Sequence, residues 1–228
     1  MKILKDIEII DLALYLKKEK ILVIGDVHIG YEEALNKQGI LIPRFQFNEI
    51  LKRLDKIFDK VKPEIIVVNG DLKHEFGTIS DQEWRQTLKI IDYLSEKAKL
   101  ILIKGNHDTI LGPIANKRDI QIRDFYKIGD IIILHGNKLI KDLGKIIVIG
   151  HEHPAITFKG RDDKFKCFLK GKYEKSDLIV MPSFTQIVEG SDVLKEKLLS
   201  PYLKNINNFE VYVVEDKIYY FGKIKYLR

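Results

Sequence analysis

A single cysteine, Cys167, stands among 228 residues. One thiol forms no intrachain disulfide, and without a C-x-x-C pair the cysteine-rich zinc sites are excluded as well. Its setting in FKCFLK reads as an ordinary strand position. Long apolar runs are also missing: none approaches the roughly 18 residues that a membrane-crossing helix needs, so no membrane partner is expected. The opening MKILKDIEII carries Asp6 and Glu8 and lacks a small-residue cleavage site. That predicts no secretory leader and a cytoplasmic location. Repeats, low-complexity tracts and long linkers are absent. Hydrophobic residues make up 45% of the chain, enough to bury a core unaided. One domain over 1–228 is therefore expected, with 183–228 forming a small cap or an edge hairpin of it. Charge of one sign is only slightly in excess: 39 Lys and Arg against 33 Asp and Glu leave +6. This mild basic balance favours phosphate-bearing partners, nucleic acid among them.

What is present is an alternation of short apolar runs and amphipathic stretches. ILVIG (21–25), EIIVV (64–68) and LILIK (100–104) read as buried strands. Between them, 47–61 places Phe47, Ile50, Leu51, Leu54, Ile57, Phe58 and Val61 on one helical side. The stretch 80–98 has Ser80 as N-cap, Glu83 three residues on, and Trp84, Leu88, Ile91 and Leu94 facing inward. A β-α-β-α-β order implies parallel strands with crossover helices. The second half holds strands at 131–135, 146–150, 155–158, 165–169 and 178–181. Their connections are too short for helices, which predicts hairpins and antiparallel pairing. A short helix is expected over 194–205, ended or bent by Pro201. FEVYVVE and IYYFGKI, joined at Asp216 and Lys217, read as a closing hairpin. Together these make an α/β fold of two packed sheets with helices outside.

Five of the apolar strands run straight into polar residues, usually through a glycine. They lead to Asp26-Val27-His28, to Asp71, to Asn106-His107-Asp108, to His135-Gly136 and to His151-Glu152-His153. Open α/β sheets place their sites at such carboxyl ends. Five of the six histidines lie there, and residues serving only as caps would not select histidine so strongly. A mixed Asp/Asn/His set suits borderline first-row metals better than calcium. Two such cations, about 3.5–4 Å apart, can neutralise an anionic phosphate ester and lower the pKa of a shared water. A carboxylate must bridge them, and Asp71, alone after its strand, is the best candidate. Glu152 sits between two candidate ligands and should face away, since adjacent strand residues alternate. The glycines at 25, 70, 105, 136 and 150 read as devices for tight turns.

GDVHIG, NGDLKH, GNHD, LHG and GHEH, in that order over residues 25–153, resemble the motif series of the calcineurin-like metallophosphoesterase superfamily. The resemblance implies a four-layer αββα sandwich of two mixed sheets flanked by helices. It implies one cation on Asp26, His28 and His153, a second on Asn106, His135 and His151, and Asp71 shared. His107 would contact the scissile phosphate and protonate the leaving oxygen, with Asp108 orienting it. Asp108 could instead cap a helix after the turn. A hydroxide shared by the cations would attack in line. Manganese is the first expectation for the two divalent cations; iron, zinc and nickel also fit. His74 in GDLKHEF has a substrate-binding or a plain surface reading.

Residues 26–47 further resemble a branch of archaeal and bacterial phosphoesterases that includes the ligase-associated DNA-repair type. The shared signs are Glu32 seven residues before Gly39, then Pro43 before a helix. The loop 30–44 would be a surface connection or a border of the substrate cleft. Pro182, Ser183 and Phe184 of MPSFTQIVEG would shape its rim. The branch implies phosphodiester hydrolysis, with DNA as one substrate. The alternatives are a nucleotide or small-molecule phosphodiesterase, or a metal-bound scaffold for a nucleic-acid-processing partner.

Overall fold

The computed structural model describes residues 1–75, 80–108 and 111–228. Two mixed sheets carry the fold, with helices flanking them. The first sheet opens with a meander of β1 (Lys2–Leu4), β2 (Ile7–Ile10), β3 (Ala13–Leu16) and β4 (Ile21–Ile24), all antiparallel. It continues in parallel through β5 (Ile65–Asn69), β6 (Lys99–Ile103) and β7 (Gln121–Arg123). The first three strands carry no glycine or proline punctuation. Their turns are made by Asp6 at φ 61°, Asp11 at 55° and Lys20 at 51°. Aspartate tolerates the left-handed region better than most residues, and so the meander leaves little trace in the sequence.

The crossovers are helical, as the periodicity predicts. α1 (Tyr31–Lys37) and α2 (Gln46–Phe58) join β4 to β5, α3 (Asp81–Lys97) joins β5 to β6, and α4 (Leu111–Asn116) precedes β7. Ile50, Leu54 and Ile57 of α2 are buried, as are Ile90, Ile91 and Leu94 of α3. The Ser80 side chain accepts from the N–H of Glu83 and caps α3. The expected loop 30–44 thus begins with a helical turn pair before running irregularly to α2.

The second sheet holds β8 (Phe125–Ile128), β9 (Ile131–Leu134), β10 (Ile146–Ile149), β11 (Pro154–Thr157), β12 (Lys164–Tyr173), β13 (Ser176–Val180), β14 (Ser191–Asp192), β15 (Glu210–Val214) and β16 (Ile218–Lys223). Here the expected antiparallel pairing holds for β11 with β12 and for β12 with β13, and is corrected for β10. β10 lies parallel to β9, with Ile146 beside Ile131, and parallel to β13, with Ile146 beside Asp177. Residues 135–145 return the chain without a helix, and the β11–β12 excursion brings β13 back alongside β10. Antiparallel β9 and β10 would send His135 and His151 to opposite ends of the sheet; the parallel pair keeps both at one rim.

Both faces of β9 and β10 are buried. Ile133 and Val148 join the core shared with the first sheet, while Ile132, Leu134, Ile147 and Ile149 face a second core. Each such aliphatic side chain, fully buried, is worth about 1.5–3 kcal/mol. The second core is covered by Tyr202, Leu203, Ile206 and Phe209. These belong to a segment of turns, where a short helix is expected over 194–205. Pro201 disfavours helical geometry at the residue before it. The N–H groups of Leu199 and Ser200 are taken instead by Glu152 Oε2, at 2.8 Å each. The closing hairpin forms as expected: β15 pairs with β16 and with β12 at the edge of the second sheet. Cys167 is a buried residue of β12.

Candidate metal centre

The carboxyl ends of β4, β5, β6, β9 and β10 meet at one rim, and the backbone there is strained. Asp26 (φ 53°), His28 (49°), Asp71 (43°), His151 (64°) and His153 (48°) all occupy the left-handed region. That region costs of order 1–3 kcal/mol for each such residue, and it persists only where neighbours impose it. The imposing contacts are main-chain bonds between loops. Asp26 donates to the carbonyl of Gly70 (3.1 Å), His28 to that of Asp71 (3.0 Å), and Gly150 to that of His135 (3.0 Å). The N–H of His151 reaches Asp26 Oδ2 at 3.1 Å. Two of the glycines are explained by clearance more than by turning. A Cβ on Gly105 would lie 2.0 Å from Asp71 Oδ1, and one on Gly150 would lie 2.3 Å from Asp26 Oδ2.

The side chains gather into two groups whose donor atoms lie within 4.8 Å of one another. One is Asp26, His28 and His153; the other is Asp71, His135 and His151. In the first, His28 Nε2 faces His153 Nε2 at 3.3 Å, and His153 Nε2 is 3.1 Å from Asp26 Oδ1. In the second, His135 Nε2 lies 3.3 Å from Asp71 Oδ2 and 2.8 Å from Asn106 Oδ1. Asp26 Oδ1 and His135 Nδ1 are buried and have no hydrogen-bond partner among the described residues. Orphaned buried polar atoms are costly and call for an explanation. A cation among them supplies one, and the oxygen and imidazole donors suit a first-row divalent ion.

The protonation states agree with that fit. Burial, then His153, lowers His28 well below the ordinary histidine range; burial and His135 take His151 down to about 4. Both imidazoles are neutral at pH 7, with lone pairs available. Burial opposes charge on Asp71, but His135 and His28 outweigh it and hold the carboxyl well below its usual range. Burial likewise opposes charge on His135, yet Asp71 and Asp26 push it up to about 9. A proton on His135 here neutralises the carboxylates as a bound cation would.

His107 enters from the loop after β6. Its N–H donates to Asp71 Oδ1 at 2.9 Å, and its Nε2 is 3.9 Å from Asp71 Oδ2. Its Nδ1 is 2.5 Å from the carbonyl of His74, so Nδ1 carries a proton. Asp108 is buried, and both its oxygens are engaged by main-chain donors: Oδ2 by Gly105 at 3.0 Å, Oδ1 by Lys73 at 3.3 Å. It ties the His107 loop to the loop after β5. Burial and the charge of Asp71 push it up to about 6. The His74 ring lies 5.3 Å from that of His107, and its Nδ1 is 3.4 Å from His28 Nδ1. His28, His74 and His107 form a third group of close donors beside the other two. Glu152 turns away from the rim, toward Leu199 and Ser200.

A family model of the calcineurin-like phosphoesterases matches residues 19–214. The chain belongs to this family. It is a metal-dependent phosphoesterase, and its two mixed sheets are those of its structural neighbours. The phosphoesterase is similar to the Pseudomonas putida nuclease MPE over 92% of either chain, at 20% identity and a TM-score of 0.69. It is also similar, more distantly, to YfcE, a phosphoesterase from E. coli: 10% identity, 86% of this chain, 88% of that chain and a TM-score of 0.43. A protein of unknown function from Aquifex aeolicus, AQ665, aligns with 58% of this chain and 78% of its own at 22% identity and a TM-score of 0.40. No curated protein matches the sequence. Among the described residues, no helix is long and apolar enough to cross a membrane.

Several residues that support the phosphoesterase's rim escape a reading based on ligand chemistry. Glu32 is buried, and its Oε1 accepts from the N–H groups of Phe45 (2.8 Å) and Gln46 (2.6 Å), capping α2 from a distance. Gln46 then reaches back to the carbonyl of His28 (3.1 Å) and to Thr185 Oγ1 (2.8 Å). This chain of bonds accounts for the Glu32-to-Gly39 pattern: the glutamate braces α2, and Gly39, at φ 87°, follows the end of α1. Glu83 is a second buried brace, its Oε1 accepting from His74 and Glu75 at 2.9 Å each. On the far side, Phe184 donates to the carbonyl of Gly25 at 3.0 Å. Its loop is anchored by Lys166 Nζ, which donates to Ser183 Oγ and to the carbonyl of Val188.

Proposed function

We propose that this phosphoesterase is a dinuclear phosphodiesterase, with Asp26, His28 and His153 holding one divalent cation and Asn106, His135 and His151 the other. Asp71 is shared between them, and manganese is the first candidate for both. The observation that carries the reading is the pair of donor groups, Asp26 with His28 and His153 and Asp71 with His135 and His151, where buried Asp26 Oδ1 and His135 Nδ1 lie 3.5 Å apart and lack a hydrogen-bond partner among the described residues. Such cations would neutralise the phosphate and activate a water for attack.

The protein's own part is to position and to move a proton. With its Nδ1–H donating to the His74 carbonyl, a charged His107 presents Nε2–H on the Asp71 side. Hydrolysis of a diester needs one proton, at the leaving oxygen, and one imidazole can supply it. Asp108 acts as a positioning residue, through the loop that carries His107. His74 borders the place where the ester would lie.

A diester substrate is favoured over a monoester by charge. The open cleft beside His153 is lined by Tyr31 and by residues 187–191, with Glu189 and no Lys or Arg among the described lining residues. A monoanionic diester suits this wall better than a dianionic monoester. The nuclease MPE, which shares the fold, is compatible with DNA as the polymer.

Manganese-loaded protein should hydrolyse bis-p-nitrophenyl phosphate faster than p-nitrophenyl phosphate. In His107→Ala, kcat should fall by about 10²–10⁴ while bound manganese is unchanged. A metal-replete protein that cleaves only the monoester, or neither ester, would overturn the reading.

A further inference from the structure

A row of rings leads from His107 into the open cleft. The His74 ring stacks on that of His107, 30° from parallel. Tyr31 meets His74 edge to face, with 4.5 Å between centroids and 60° between planes. Tyr31 is half-buried and lines, with His153 and residues 187–191, a cleft of about 430 Å³. Its hydroxyl makes no hydrogen bond among the described residues. A tyrosine so placed usually spends its hydroxyl on the protein. This one keeps ring surface and a donor for whatever enters the cleft.

The row is fixed before any substrate arrives. The N–H of Tyr31 donates to the carbonyl of His28 at 3.2 Å. Gly30, at φ 91°, precedes it, and a Cβ there would lie 2.7 Å from Glu83 Cγ. Glu83 packs into that space and accepts from the N–H of His74 at 2.9 Å. Ser80, the cap of α3, also donates to Glu33 of α1. One buried carboxylate therefore braces both the start of α1 and the loop of His74. Rings held in place in this way bind at a low cost in conformational entropy.

The rest of the cleft narrows the ligand. Its described lining has no Lys or Arg to take a second phosphate, and Glu189 repels one. Beside the metal centre it offers a ring and a hydroxyl. A flat heteroaromatic group uses both, its face against the ring and its polar edge toward the hydroxyl.

We propose that Tyr31 is a specificity-determining residue, stacking on a flat ring carried by the leaving alcohol, so that the preferred diesters release a nucleoside. The assignment of this side to the leaving alcohol rests on the phosphodiesterase reading, in which His107 protonates the leaving oxygen. The test uses thymidylyl-thymidine and two counterparts, each with one base removed; product analysis identifies the nucleoside that leaves. Manganese-loaded protein should cleave the intact dinucleotide about ten-fold better, in kcat/KM, than the counterpart lacking the leaving base. Loss of the other base should matter far less. Tyr31→Phe keeps the ring and should keep the ratio. Tyr31→Ala, and Tyr31→Leu, which keeps bulk against His74, should bring it to about one, with bound manganese unchanged. A ring that only packed against His74 would change all three esters alike and leave the ratio as it was.

A ratio that survives in Tyr31→Leu, or that belongs to the base on the other side, would overturn the role of Tyr31 and leave the phosphodiesterase reading standing. If metal-replete protein cleaves none of the three, calorimetry with their hydrolysis-resistant methylenephosphonate analogues separates the two claims. Base-dependent binding that Tyr31→Leu abolishes would uphold the ring site while the phosphodiesterase reading falls. Binding indifferent to either base would sink both.

Discussion

Asp71 is the most constrained side chain of the rim. Its backbone is strained at φ 43°, one oxygen accepts from His107, and the other faces His135. Gly105 presses against it from the neighbouring loop. Gly105 has no left-handed φ, so alanine there carries no backbone penalty. The substitution therefore isolates clearance. Gly105→Ala should displace the Asp71 carboxylate, lower the manganese bound per chain, and destabilise by about 1–3 kcal/mol through overpacking. Metal analysis alongside a urea melt checks both; full manganese occupancy with normal stability would show that the carboxylate has room to move. The proposed ligands were legible in the sequence because strand ends concentrate such residue types: four histidines, two aspartates and an asparagine follow apolar runs. The partners of Nδ1 of His107 and of the Asp108 carboxylate were not legible. They are main-chain groups of His74, Gly105 and Lys73, and main-chain groups carry no sequence signature.

At the scale of elements, the helices α2 and α3 follow their apolar periodicity closely, while pairing in the second sheet does not follow connection length. The segment 135–145 is long enough to return a strand in parallel without a helix, and rim geometry decides the matter: His135 and His151 must end together. The expected helix at 194–205 fails because Glu152 captures the N–H groups of Leu199 and Ser200, a long-range contact invisible to local periodicity. The junction of α1 and α2 shows the same long-range logic and is open to test. Phe45, at the N-cap position of α2, offers no capping side chain, and Glu32 does the capping thirteen and fourteen residues away. Glu32→Ala leaves the Phe45 and Gln46 donors without that partner and should cost about 1–3 kcal/mol. Glu32→Gln keeps one acceptor oxygen and should recover part of the loss. Equal stability of all three proteins in urea would mean that water replaces the carboxylate.

For the whole molecule, the rim is where two sheets meet. Asp26, Asp71 and Asn106 come from loops of the first sheet, and His135, His151 and His153 from loops of the second. Each proposed cation would take ligands from both sheets, so binding would cross-link the layers as well as support chemistry. Ligands that bind only the folded state stabilise it by mass action, about 2.7 kcal/mol per site at free metal 100-fold above Kd. For a chain of this length that corresponds to about 5–10 °C in Tm. Removal of metal by a chelator should therefore lower Tm by at least that amount, and manganese should restore it. Proton competition should shrink the manganese effect as the pH falls below about 9, where His135 takes up a proton, because metal binding requires the neutral ring; His151, at about 4, adds to the loss only in acid. Melting curves with and without manganese at two pH values test the cross-link directly. If the metal is gone by elemental analysis and Tm has not moved, the two sheets are held by their shared core of Ile133, Val148, Phe168 and Ile179 against the first sheet, and the cations contribute nothing to holding them together.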